Sequence, residues 1–261
     1  MPNSDTLNDS HLPPLNLEPF RIVDPDLAAL EDYKIVGFDS RDSRIRPFNL
    51  LRTQFAKQTV DRGLRLVGIT SATPSAGKSF LSLNLAASLS KVSDRPVLLV
   101  DLDLRRGSLA QELGMDVYKG VSDFLSGDVE SFGEIGYRVQ DSQLLVFPTK
   151  KVSSDSAELI AGKHFGDMIK YLRDLPSKPL VIFDLPPAFA SDDAMLSLDL
   201  LDGYVLVVDS GRTNSRQVKD SIVMLQPTPC LGTILNRYKG GIADSYGYGY
   251  GYSNYSKYYS D

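Results

Sequence analysis

The chain has 261 residues, 42% hydrophobic and 23% charged, which suits one large α/β domain with extensions and a sizeable core. A net charge of -5 argues against a nucleic-acid-binding surface, a single cysteine (Cys230) excludes an intrachain disulfide framework and fits a reducing compartment, and two distant histidines, His11 and His164, argue against a zinc site. No apolar run approaches the roughly 18 residues of a membrane span, and an N-terminus carrying Asp5 and Asp9 is not that of a signal peptide.

Residues 1–45 are polar and proline-bearing (Pro2, Pro13, Pro14, Pro19, Pro25), with apolar residues in no sustained period. They predict a poorly structured N-terminal extension with a short helix over 26–33. Residues 46–240 read as one domain. A helix is expected over 46–62, with Pro47 in its first turn and Phe48, Leu51 and Phe55 recurring at spacings of three and four. Arg44, Arg46 and Arg52 near its start form either a solvated face or a subunit contact. Strands and helices then alternate. Strands are predicted over 64–70, 96–104, 144–147, 179–184, 204–209 and 231–236. Helices are predicted over 78–92, in parts of 156–175, and over 192–200 and 215–225. That alternation predicts a mostly parallel, doubly wound sheet covered by helices on both faces, with ligands at the C-terminal strand ends.

The motifs fall at those ends. After the first apolar run comes Ser71-Ala72-Thr73-Pro74-Ser75-Ala76-Gly77-Lys78-Ser79 and then Phe80 at the helix start. Strand, Gly-Lys-Ser loop and helix is the order of a P-loop NTPase site. The backbone of Thr73, Pro74, Ser75, Ala76, Gly77, Lys78, Ser79 and Phe80 is expected to cradle ATP phosphates on a helix N-terminus. Lys78 reaches the β- and γ-phosphates, and the Ser79 hydroxyl ligates Mg²⁺. Ala72 holds the first glycine position of the usual pattern, so the loop should start with an ordinary negative φ. The strand over 96–104 ends in Asp101-Leu102-Asp103-Leu104-Arg105. Two strand-end acids beside a phosphate loop suggest metal coordination and acceptance of a proton from an attacking hydroxyl. A solvated strand exit, or an acid paired with Arg105, is the plainer alternative. A further apolar strand ends in Asp184-Leu185-Pro186-Pro187, where Asp184 is either a Mg²⁺ holder or a turn acid.

After Lys239-Gly240-Gly241 the composition changes. Residues 241–261 alternate glycine with tyrosine (Tyr246, Tyr248, Tyr250, Tyr252, Tyr255, Tyr258, Tyr259). Alternating glycine resists ordering in strand or helix, so a flexible tail is expected. Such a chain averages roughly 20–25 Å end to end, with an extended limit of roughly 55–60 Å. It is either a sticky low-complexity tail or a set of phenols able to enter a neighbour's site.

Taken together, Asp-x-Asp-x-Arg, Asp-x-Pro-Pro, the Gly-Lys-Ser loop, Ser191-Asp192-Asp193-Ala194, the strand 204–208 and Gly232-Thr233-Ile234-Leu235-Asn236-Arg237 resemble the bacterial tyrosine kinases (BY-kinases) of exopolysaccharide and capsule synthesis. The tyrosine-rich tail is similar to theirs, and the resemblance covers about residue 47 to the end. It implies a P-loop kinase that moves the γ-phosphate of ATP to tail tyrosines of a neighbouring subunit. By that resemblance Lys78, Asp101 and Asp103 are catalytic, Ser79, Asp101 and Asp184 hold Mg²⁺, and Asn236 and Arg237 lie near the adenine. It also implies a homo-oligomer, a membrane activator of the chain-length-determinant type, a phosphotyrosine phosphatase, and a cytoplasmic protein recruited to the plasma membrane by its partner. The chain departs from the family at three places. Arg46, Asn49 and Arg52 stand for a Glu-x-x-Arg-x-x-Arg helix motif, Phe80 for Thr, and Gly107 for Pro. The competing readings are a partitioning or positioning ATPase, whose extra loop lysine is Thr73 here, and a nucleotide-gated scaffold without transfer activity.

Overall fold

The computed structural model describes residues 15–150 and 154–239. Its eight strands form one sheet in the order β1-β4-β5-β3-β6-β2-β7-β8. They are β1 (Arg21–Val23), β2 (Leu66–Ser71), β3 (Val97–Asp101), β4 (Tyr137–Val139), β5 (Leu144–Phe147), β6 (Leu180–Asp184), β7 (Gly203–Asp209) and β8 (Cys230–Asn236). Every neighbouring pair is parallel except β4 with β5.

The inner strands are mainly apolar because both faces are covered. Side chains alternate across the sheet. Val67, Ile69, Val97 and Leu99 face a core that includes Phe48 and Phe55 of α2 (Arg46–Asp61) and Leu83 and Leu85 of α3 (Lys78–Leu89). Leu66, Leu98 and Val100 face a second core on the other side. There α7 (Lys163–Asp174) buries Phe165, Met168, Ile169 and Leu172, one stripe at spacings of three and four. The smaller helices are α1 (Leu27–Asp32), α4 (Leu109–Glu112), α5 (Val121–Leu125), α6 (Ser156–Ala161), α8 (Asp193–Leu198) and α9 (Ser215–Met224). Among the described residues no helix is long and apolar enough to cross a membrane.

Residues 15–45 add regular structure ahead of α2. β1 adds to the sheet beside β4, and α1 forms within the expected 26–33. Ile35, Val36 and Ile45 are buried. The Val36 and Gly37 N–H groups donate to Asn84 Oδ1 of α3 at 2.8 and 2.9 Å. A buried side chain thus satisfies backbone that no regular element reaches. Arg44 pairs with Glu31 and Asp42 on the surface, and Arg52 Nη1 donates to Ser88 O at 3.2 Å, tying α2 to α3. The tail tyrosines from Tyr246 to Tyr259 lie outside the described residues.

Candidate active site

Three adjacent strands, β3, β6 and β2, carry the three motifs. Because β6 lies between the other two, Asp101 and Asp184 face each other in register at the sheet's C-terminal edge. β2 runs straight into the phosphate loop and α3. The loop turns at Ser75 (φ 60°) and Gly77 (φ 90°), and Ala72 has no positive φ, as expected. The Ser71 hydroxyl donates to Thr73 O at 2.7 Å, closing the loop's first turn. Gly77 is required by more than its dihedral: a Cβ there would collide with the Asn236 amide. Asn236 Nδ2 donates to Ala76 O at 2.8 Å, and Arg237 Nη1 donates to Ser75 O and Asp209 Oδ2, both at 2.7 Å. The end of β8 therefore grips the loop through its carbonyls and leaves its N–H groups to a ligand.

Lys78 opens α3, 7% exposed, with Nζ 3.8 Å from Asp103 Oδ2. Asp101 and Asp184 are fully buried. Burial, then the charges of Asp184 and Asp103, push the Asp101 carboxyl well above the usual carboxylate range. Burial pushes Asp184 up to about 6, against the pull of Lys78 and of hydrogen bonds from the Ser79 and Ser82 hydroxyls. Two acids in register therefore resist ionising together. Asp101 Oδ2 and Asp184 Oδ2 are buried without a hydrogen-bond partner among the described residues. Two orphaned carboxylate oxygens beside a serine hydroxyl are the donor set a hard cation takes. The residues present fit Mg²⁺, which Ser79, Asp101 and Asp184 would hold. Among the described residues no group of three or more His, Cys, Asp or Glu is placed to hold a metal ion by itself. The remaining positions would fall to phosphate oxygens and water, the usual habit of Mg²⁺.

An open cavity of about 400 Å³ lies over the loop, lined by Pro74, Ser75, Lys78, Asp103, Arg105 and Pro187 among others. Phe80 does not line it. Its ring packs edge-on against Phe48 at 5.6 Å, so a bulky residue there locks α3 to α2 and leaves only its N–H for phosphate. Gly107 is explained by crowding: a Cβ would lie 2.8 Å from Thr149 Cβ and 2.9 Å from Asp101 Oδ2. Glu112 and Ser156 had no signal in the sequence. Glu112 on α4 is 7% exposed, and its carboxyl is pushed up to about 7 by burial and then by the charge of Asp184. Ser156 and Asp193 are buried behind Arg105. Asp193 belongs to a motif already noted, but only the fold brings α6 and α8 together.

The comparisons with known proteins agree with this geometry. The chain matches no protein-family model. It is 33% identical over 218 residues to the putative tyrosine-protein kinase EpsB of Ralstonia nicotianae, covering 82% of this chain and 28% of that one. It is 30% identical over 213 residues to the tyrosine-protein kinase CpsD of Streptococcus agalactiae, covering 80% of this chain and 89% of that one. The chain belongs to the bacterial tyrosine-protein kinase family. This kinase-family chain thus spans nearly all of CpsD but only about a quarter of EpsB. The solved kinase domain of Escherichia coli tyrosine kinase ETK superposes with a TM-score of 0.72 at 27% identity, covering 84% of this chain and 85% of that one. The septum site-determining protein MinD of Pyrococcus horikoshii, solved with Mg-ADP, is a more distant likeness, with a TM-score of 0.57 at 27% identity over 67% of this chain and 71% of that one. The fold is that of a P-loop nucleotide-binding protein.

Proposed function

We propose that this family member is an ATP-dependent protein-tyrosine kinase whose acceptors are the tail tyrosines of a second copy of the chain. The observation that carries the reading is a phosphate-loop cavity lined by Lys78, Ser79 and Asp103, with the buried Asp101–Asp184 pair close enough behind it for Lys78 and the Ser79 hydroxyl to act on Asp184. In this reading the loop N–H groups, Lys78 and the α3 N-terminus bind ATP phosphates. Ser79, Asp101 and Asp184 would hold Mg²⁺, which would supply charge neutralisation to the bound triphosphate. Asp103, on the cavity wall, accepts the phenolic proton. Asn236 and Arg237 brace the loop near the nucleotide. Residues 46–240 carry the kinase site, residues 15–45 join the same sheet and core, and residues 241–261 are the tail that carries the acceptors.

The same reading takes the protein to the inner face of the plasma membrane through a membrane activator, opposes it with a phosphotyrosine phosphatase, and gives it control of exopolysaccharide or capsule export. Its homo-oligomer supplies tails in trans. The loop's Thr73, in place of a second lysine, weighs against the positioning-ATPase alternative.

The test is incubation with labelled ATP and Mg²⁺, followed by detection of phosphotyrosine in wild type and Lys78→Ala. Labelled tyrosine lost in the variant supports the proposal. Hydrolysis without labelled tyrosine would show a regulatory ATPase instead, and nucleotide binding with neither would show a scaffold.

A further inference from the structure

Arg105 lines the cavity beside Lys78 and Asp103, and its guanidinium is held from behind. Nε donates to Ser156 Oγ at 2.8 Å, and the Ser156 hydroxyl donates onward to Asp193 Oδ2 at 2.7 Å. Nε is also 3.4 Å from that same carboxylate oxygen. The three residues come from separate places: the segment after β3, the first residue of α6 and the first residue of α8.

The two backing residues are 0% exposed, whereas the Arg105 side chain is 43% exposed. Its Nη groups have no partner among the described residues, so only the inner edge of the fork is engaged. Asp193 Oδ1 is buried with no hydrogen-bond partner among the described residues. A buried carboxylate is a poor device for joining two helices, since apolar residues of similar volume join them at least as well. It is a good device for orienting a planar guanidinium. The loop itself brings a single cation, Lys78, and the Asp103 carboxylate already sits 3.8 Å from it. A second positive group on the cavity wall meets the need to stabilise negative charge during transfer.

We propose that Ser156 and Asp193 are positioning residues that aim Arg105 at the phosphoryl group in flight. The proposal rests on the kinase reading above. The acceptor phenol oxygen bonds to the γ-phosphorus as the bond to the leaving ADP oxygen breaks, and the phenolic proton passes to Asp103. Arg105 gains and loses no atom; it binds the oxygens that carry the charge.

The test uses the full chain with ATP and Mg²⁺, comparing Arg105→Ala, Asp193→Asn, Ser156→Ala and the double variant Arg105→Ala/Asp193→Asn. Three quantities are measured: phosphotyrosine formation at saturating ATP, ADP affinity, and melting temperature. Arg105→Ala should slow transfer by about 10²- to 10³-fold with ADP affinity unchanged. Asp193→Asn and Ser156→Ala should each slow it by about tenfold or more through misplacement of Arg105. The double variant should be no slower than Arg105→Ala, because a residue acting through another adds nothing once that partner is gone. Wild-type transfer in Asp193→Asn with only a lower melting temperature would overturn the inference, as would independent losses that multiply in the double variant. A wild type that forms no phosphotyrosine overturns the kinase reading and this inference with it. An active wild type beside an equally active Asp193→Asn overturns this inference alone.

Discussion

Replacing Glu112 with glutamine should stabilise the metal-free protein at pH 8 and leave it unchanged at pH 4. Glu112 Oε1 accepts from Ser108 Oγ at 3.0 Å, and Oε2 is buried without a partner among the described residues. Burial, and secondarily the Asp184 charge, raise the carboxyl from an ordinary 4.5 to about 7, with the Ser108 bond and Lys78 opposing. The folded protein therefore holds this proton more tightly than the unfolded chain does. Its contribution to stability is complete below pH 4.5 and is lost as pH rises through 7. At about 1.4 kcal/mol for each tenfold difference in proton affinity, the loss reaches about 3 kcal/mol at pH 8. Glutamine keeps the shape and the acceptor for Ser108 but carries no charge. In a domain of this size a gain of about 3 kcal/mol raises the melting temperature by roughly 6–12 °C. Thermal unfolding followed by circular dichroism, with a chelator present, reads the effect at both pH values. A variant that melts no higher than wild type at pH 8, or that gains equally at pH 4, refutes the reasoning.

Gly107→Ala should cost about 1–3 kcal/mol and slow transfer, because the new Cβ meets Thr149 and Asp101 at under 3 Å; urea unfolding and a rate assay check both. Asp209→Asn should release Arg237 from the loop and raise the KM for ATP by about 3- to 10-fold, with kcat little changed; steady-state kinetics separate the two. Since burial holds Asp184 near 6, protons compete with the cation below that pH. Mg²⁺-dependent nucleotide binding should weaken from pH 7.5 to 5.5 and recover at higher Mg²⁺, and titration calorimetry would expose a flat response. Each phosphotyrosine adds about -1.5 to -2 charges, so a heavily phosphorylated tail should loosen an oligomer; equal solution masses for phosphorylated and tail-mutant proteins would end that idea.

The inner sheet could be read from the chain because its strands are short apolar runs with both faces buried. β5 has the predicted bounds, and β2, β3, β6, β7 and β8 end within a few residues of expectation. The phosphate loop and both strand-end acids were equally legible, since their spacing is local. What escaped depends on distant partners. β1 is three residues long, flanked by Pro19 and Pro25, and exists because β4 lies beside it. Val36 and Gly37 are held by Asn84, 48 and 47 positions away. α4 and α5 have four and five residues, too short for a period to emerge. Glu112 and Ser156 look like ordinary polar residues, and only assembly of the helices around the cavity removes them from water. Asn236 and Arg237 were noticed, but their grip on the Ala76 and Ser75 carbonyls is a fact of three dimensions.

The sheet has β1 at one border and β8 at the other. Seven interstrand gaps separate them, roughly 34 Å along the sheet at about 4.8 Å each. The first described strand and the root of the tyrosine-bearing terminus thus occupy opposite flanks of the molecule. A ligand held at the β1 border therefore sits clear of the point where the chain leaves β8.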